Sequence, residues 1–123
     1  MGKCKILIID DESDITETLS YMLQARNFDV VTANSGQEGL DKVKRDRPDL
    51  ILLDIMMPEM DGYKVCNKLK HDKDTKNLPI IMLTAKGEAD SVIKSYDSGA
   101  NDYVVKPFSL STLISRINDC LLV

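Results

Sequence analysis

The chain has 123 residues, 43% hydrophobic and 29% charged, with a formal net charge of −4. This is the composition of an ordinary globular protein, and residues 1–123 are expected to form one domain that buries roughly two-thirds of its unfolded surface. An acidic balance argues against direct nucleic-acid binding, no apolar run approaches the ~20 residues of a membrane helix, and the amino terminus lacks a secretory pattern, so a cytoplasmic location with no membrane partner is expected.

In chain order, residues 6–9 form a short apolar run that predicts a first strand, followed at once by Asp10 and Asp11. Ile15, Leu19, Met22 and Leu23 then share one helical face, with Asp14 and Glu17 spaced as a capping box. Residues 30–33 predict a second strand. Ser35 and Glu38 read as a second capping box, and Arg47-Pro48 should end the helix it opens. Residues 50–53 predict a third strand, which delivers Asp54.

Residues 71–78 are polar and read as a surface loop, where the single histidine, His71, should be solvated. Residues 80–83 predict a fourth strand leading into Thr84, and 103–105 a fifth leading into Lys106. Leu110, Leu113, Ile114, Ile117 and Leu121 line one face of a last helix. Strand starts about 20 to 25 residues apart leave room for one crossover helix each, so a parallel sheet with helices on both faces is expected. Cys4, Cys66 and Cys120 form no CxxC pattern and are read as buried thiols. Gly36 and Gly39 do not build a phosphate-binding loop.

Open parallel sheets bind ligands outside the carboxyl ends of their strands, so Asp10, Asp11, Asp54, Thr84 and Lys106 should converge. Any one of these has a bland explanation: an acidic helix start, a loop carboxylate, a turn hydroxyl or a surface cation. Their joint placement favours chemistry. Three carboxylates held close together repel strongly and call for a hard cation, and Mg²⁺ suits an all-oxygen donor set. Asp11 and Asp54 are expected to touch the ion, Asp10 to act through water, and backbone carbonyls of the loop after Asp54 to complete the shell.

A carboxylate is a weak nucleophile, but it can attack a phosphorus whose oxygens are neutralised by Mg²⁺ and a lysine. Asp54 is the candidate phosphoacceptor, Lys106 the phosphoryl contact and Thr84 the hydroxyl that senses the modification, with the small Ala85 leaving access. A phosphatase of the haloacid dehalogenase type also uses an aspartyl phosphate. It needs an Asp-x-Asp arrangement after its first strand, which Asp10-Asp11-Glu12 lacks.

These stretches resemble the receiver domains of two-component response regulators across essentially the whole chain. The matching residues are 8–12, then 49–58 continuing to Asp61-Gly62, then Leu83-Thr84-Ala85, and Gly99-Ala100-Asn101-Asp102-Tyr103 leading into Lys106-Pro107-Phe108. The resemblance implies a doubly wound α/β fold with the flavodoxin-like strand order 2-1-3-4-5 and a cis Lys106-Pro107 bond. It implies that Asp54 accepts the phosphoryl group, that Asp10 and Asp11 hold Mg²⁺ with Asp54 and the Met56 carbonyl, and that Thr84 and Tyr103 form the switch pair.

By the same resemblance the chain is a signalling switch, catalysing only its own phosphorylation and slow autodephosphorylation. The donor would be a sensor histidine kinase or a histidine phosphotransfer protein. The output would be a domain or downstream protein reached through the surface of the fourth helix, fifth strand and fifth helix. Asp102 and Arg116 match part of the charged pattern through which some receivers form a phosphorylation-dependent homodimer, whereas Ser91 and Asn101 depart from it.

Overall fold

The computed structural model describes residues 3–57, 60–85 (Ala85 by its backbone) and 94–121. Its elements follow the expected alternation: β1 (Lys5–Ile9), α1 (Ser13–Gln24), β2 (Asp29–Ala33), α2 (Gly36–Asp46), β3 (Leu50–Asp54), α3 (Gly62–Lys70) and β4 (Ile80–Ala85). A helical turn at 94–97, here α4, then leads to β5 (Asp102–Lys106) and α5 (Leu110–Leu121). Each strand extends the predicted apolar run by one or two residues, because the polar neighbour continues the ladder. All four pairings are parallel, in the order β2-β1-β3-β4-β5.

The period of two along each strand divides the core in two. Leu7, Ile9, Ile51, Leu53, Ile80 and Met82 join Val43 of α2 and Val65, Cys66 and Leu69 of α3 on one face. Ile6, Ile8, Leu50, Leu52, Ile81 and Leu83 join Leu19 and Leu23 of α1 and Leu113 and Ile117 of α5 on the other. β3 lies at the centre and is buried along its whole length. Each of its aliphatic side chains contributes roughly 1.5–3 kcal/mol through burial.

The helix starts hold one confirmation and one correction. At α2 the Ser35 hydroxyl accepts from Glu38 N at 3.1 Å, and the Glu38 carboxylate reaches back to Asn34 N, one residue before the cap. Arg47 adopts φ 48° and ends the helix against Pro48, which disfavours the α conformation in the residue before it. α1 does not use Asp14 and Glu17 as a box. Its N-cap is Glu12, with no side-chain cap, because Asp10 Oδ1 already takes Glu12 N at 3.0 Å and starts the helix two residues early.

One further reading changes and another gains a detail. Cys66 is buried, but Cys4 is exposed and Cys120 half-buried, since both stand at element ends. His71 is exposed, as expected, with Nδ1 2.7 Å from the Asn67 carbonyl. The polar segment 71–78, however, is anchored from inside. Thr75 is buried and donates to Leu69 O at 2.6 Å, and Lys70 Nζ donates to Lys76 O, Leu78 O and Asn101 Oδ1 at 3.2, 2.7 and 2.9 Å. Asn101 Oδ1 also accepts from Ile80 N at 3.0 Å, tying the starts of β4 and β5 to the end of α3.

Gly62 opens α3 directly against the backbone of β3. A Cβ there would lie 2.4 Å from Asp54 O and 2.8 Å from Ile55 Cα. The Lys106-Pro107 bond is cis. Among the described residues no helix is long and apolar enough to cross a membrane.

Candidate functional site

The sheet register brings the site together. Pairing of Ile9 with Leu53 sets Asp10 beside Asp54, pairing of Asp54 with Leu83 sets Thr84 next to it, and pairing of Ala85 with Lys106 adds the lysine. All four stand at the carboxyl ends of neighbouring strands. Asp10, Asp54 and Thr84 are 0%, 4% and 1% exposed, so their polar atoms have largely lost bulk water.

Lys106 Nζ lies between the two buried carboxylates, 3.1 Å from Asp54 Oδ1 and 3.6 Å from Asp10 Oδ2. One cation for two buried anions leaves the site short of positive charge. Burial and then the Asp10 carboxylate push the Asp54 carboxyl up from 3.8 to about 6, although Lys106 opposes them. Burial alone would lower the Lys106 ammonium, but the Asp54 and Asp10 carboxylates outweigh it and hold the group above its usual value.

Among the described residues, the buried Thr84 hydroxyl has no hydrogen-bond partner, and Asp10 Oδ2 has none beyond its 3.6 Å ion pair with Lys106. Such orphans cost about 1–3 kcal/mol each and are rare in settled parts of a fold. Asp11 is exposed, and its carboxylate lies with those of Asp10 and Glu12 in a group whose ligand atoms are all within 4.8 Å of one another. Glu12 was not among the residues expected in the acidic group. Its signal was adjacency to Asp10 and Asp11, and its placement follows from the early start of α1.

Tyr103 lies farther along the same surface. It is half-buried against the core face covered by α2 and α3, and its ring meets that of Tyr96 edge-on at 5.8 Å and 86°. Asp102 Oδ1 accepts from Tyr103 N at 2.8 Å, and Asp102 Oδ2 from Arg116 of α5 at 3.3 Å. Asn101, one of the two departures from the charged pattern, is committed to Lys70 and Ile80. The other, Ser91, lies outside the described residues, as do Pro58 and the Ala85 side chain. Met56 follows β3 and is 68% exposed.

The response regulator receiver domain model matches residues 6–118. The chain belongs to that family. Among curated proteins, it is 46% identical over 121 residues to the "Probable transcriptional regulator ycf27" of Porphyridium aerugineum, covering 98% of this chain and 49% of the relative. It is 43% identical over 117 residues to the alkaline phosphatase synthesis transcriptional regulatory protein PhoP of Bacillus subtilis, covering 95% and 48%. The chain thus spans about half the length of the curated relatives it matches.

Among solved structures, a putative response regulator from Chloroflexus aurantiacus superimposes with a TM-score of 0.94 at 36% identity, covering 98% of both chains. The Vibrio cholerae chemotaxis protein CheY4 does so with a TM-score of 0.91 at 32% identity, covering 98% of this chain and 100% of that one. The receiver domain is a module of phosphorylation-dependent phosphorelay signalling, and its relatives are regulators rather than metabolic enzymes.

Proposed function

We propose that residues 1–123 form one receiver domain that accepts a phosphoryl group on Asp54 from a sensor histidine kinase or a histidine phosphotransfer protein. The observation that carries this reading is the lysine shared between Asp54 and Asp10 beside an unpartnered, buried threonine hydroxyl. An Asp54 carboxylate oxygen forms the O–P bond as the N–P bond of the donor phosphohistidine breaks, and the imidazole leaves with the electron pair. Lys106 balances charge on the transferred group, and the Thr84 hydroxyl donates to one of its oxygens.

The donor set fits a hard divalent cation: it is all oxygen, its carboxylates outnumber the single lysine, and the buried Asp10 Oδ2 makes no hydrogen bond beyond its 3.6 Å ion pair with that lysine among the described residues. Asp10, Asp11 and Asp54, with the Met56 carbonyl, are the residues that would hold Mg²⁺. When bound, the ion supplies charge neutralisation to the phosphoryl oxygens.

The switch follows from the same groups. Thr84 turns toward the new oxygens, Tyr103 takes the space it leaves, and the α4-β5-α5 surface changes for an output domain or a downstream partner. Moving a two-state equilibrium from 1:99 to 99:1 takes roughly 5.5 kcal/mol, which two or three charge-assisted hydrogen bonds supply at about 1.5–3 kcal/mol each. The partly matched charge pattern leaves a phosphorylation-dependent homodimer open on that surface. The chain acts in the cytoplasm as a switch rather than an enzyme with its own substrate, and touches neither nucleic acid nor membrane directly.

The test is incubation with acetyl phosphate and Mg²⁺ followed by intact mass. One phosphoryl mass is expected on the wild type and none on Asp54→Asn. An unchanged wild-type mass in folded, Mg²⁺-supplied protein would refute the assignment.

A further inference from the structure

Tyr96 is not among the residues that hold or sense a phosphoryl group, yet it is the aromatic neighbour of one that does. It stands on α4 and is half exposed. Its ring meets that of Tyr103 on β5 almost perpendicularly, at a centroid distance of 5.8 Å, which is the favoured edge-to-face geometry. The backbone of Tyr103 is meanwhile fixed: its N–H donates to Asp102 Oδ1, and Asp102 is paired with Arg116 of α5. The Tyr103 side chain can therefore turn only about its own χ angles. Any such turn changes its contact with Tyr96.

We infer that Tyr96 is a positioning residue for the switch, holding the Tyr103 ring in the arrangement of the unmodified chain and so setting how far the equilibrium lies from the phosphorylated form. The inference rests on the reading of Tyr103 as a switch residue. An edge-to-face pair is worth about 0.5–1.5 kcal/mol, a bias of about two- to tenfold in the equilibrium between the two forms. Because Tyr96 also faces solvent, a partner that covers α4 touches the same ring. Linkage then requires that the partner's preference for one Tyr103 rotamer appear as an equal change in the affinity of the Asp54 site.

The experiment compares wild type, Tyr96→Leu and Tyr96→Phe. Two quantities are read: saturation with beryllofluoride and Mg²⁺, as a phosphoryl mimic, and Tyr103 χ1 populations by NMR couplings in the unmodified protein. Tyr96→Leu is expected to bind the mimic about two- to tenfold more tightly and to redistribute the Tyr103 rotamers. Tyr96→Phe, which keeps the ring edge and loses only the hydroxyl, is expected to match wild type in both. Unchanged or weaker binding by folded Tyr96→Leu, or unchanged Tyr103 rotamers, would overturn the inference. Failure of the wild type to bind the mimic would instead count against the Asp54 site, and the rotamer populations would still decide the role of Tyr96.

Discussion

Each end of the sheet carries a partly buried lysine, and the two are used in opposite ways. At the amino end Lys70 donates to three acceptors, two backbone carbonyls and the Asn101 amide oxygen, none of them an anion. Burial lowers its pKa, and its neighbours are satisfied. At the carboxyl end Lys106 faces two buried carboxylates, and the nearby Thr84 hydroxyl has no hydrogen-bond partner among the described residues. The first is a finished joint that closes the 71–78 segment. The second holds unspent hydrogen-bonding capacity and excess negative charge, which a cation and a phosphoryl group would absorb.

The comparison breaks most visibly on exchange of the two lysines for methionine. Lys106→Met should lower phosphoryl incorporation from acetyl phosphate by about 100-fold or more, the usual effect of deleting a donor to developing negative charge. Lys70→Met should leave that rate unchanged and instead lower unfolding free energy by about 1 kcal/mol, because it removes hydrogen bonds to three acceptors that are exposed or only part-buried. Urea titrations alongside mass-resolved phosphorylation kinetics check both. Equal losses of rate in the two variants would erase the distinction between the ends.

Next in size is the effect of Asp54 on stability. Burial raises its folded pKa to about 6, above the ordinary carboxylate value of 3.8, so the protonated form is the stabilising one. That contribution is complete below about pH 4 and is lost as pH rises through about 6. In metal-free buffer at neutral pH, Asp54→Asn should therefore be more stable than wild type by about 1–3 kcal/mol, allowing for screening at the open mouth of the site. The gap should close as pH falls toward 4, and added Mg²⁺ should narrow it from the wild-type side. Thermal melts at several pH values measure it, and a gap independent of pH would disprove the electrostatic account.

The smallest expected effect lies at the carboxyl end of β2 but outside the acidic site. Ser35→Ala removes the acceptor of Glu38 N and should cost about 1 kcal/mol without changing phosphorylation. It serves as a calibrator for the larger differences, read by the same urea titrations.

Much of this is legible in the sequence. Strands buried on both faces must be runs of aliphatic residues, and the polar residue that ends such a run marks the strand's carboxyl end, which is why Asp10, Asp54, Thr84 and Lys106 could be grouped in advance. Several features left no local trace. The cap of α1 was misassigned because Asp14 and Glu17 have box spacing, whereas the chain is held by Asp10, a strand residue. Thr75 reads as a solvated residue of the polar stretch 71–78, and nothing in the sequence singles out Lys70, because their acceptors are backbone carbonyls with no signature or come from a segment distant in sequence. The edge-on contact of Tyr96 depends on how α4 lies over β5, which no periodicity encodes.

Gly62 limits where the strain of modification can go. With less than van der Waals clearance for even a methyl group over Asp54 O and Ile55 Cα, and with Gly62 N bonded to Ile55 O at 2.9 Å, the main chain beneath Asp54 is backed against the first turn of α3. A bulky group arriving on the side chain cannot be accommodated by recoil on that side. Under the proposed function, that leaves the opposite side, toward β4 and β5, to take up the change, so a hydrogen atom in place of a side chain at residue 62 would help set the direction in which the signal travels.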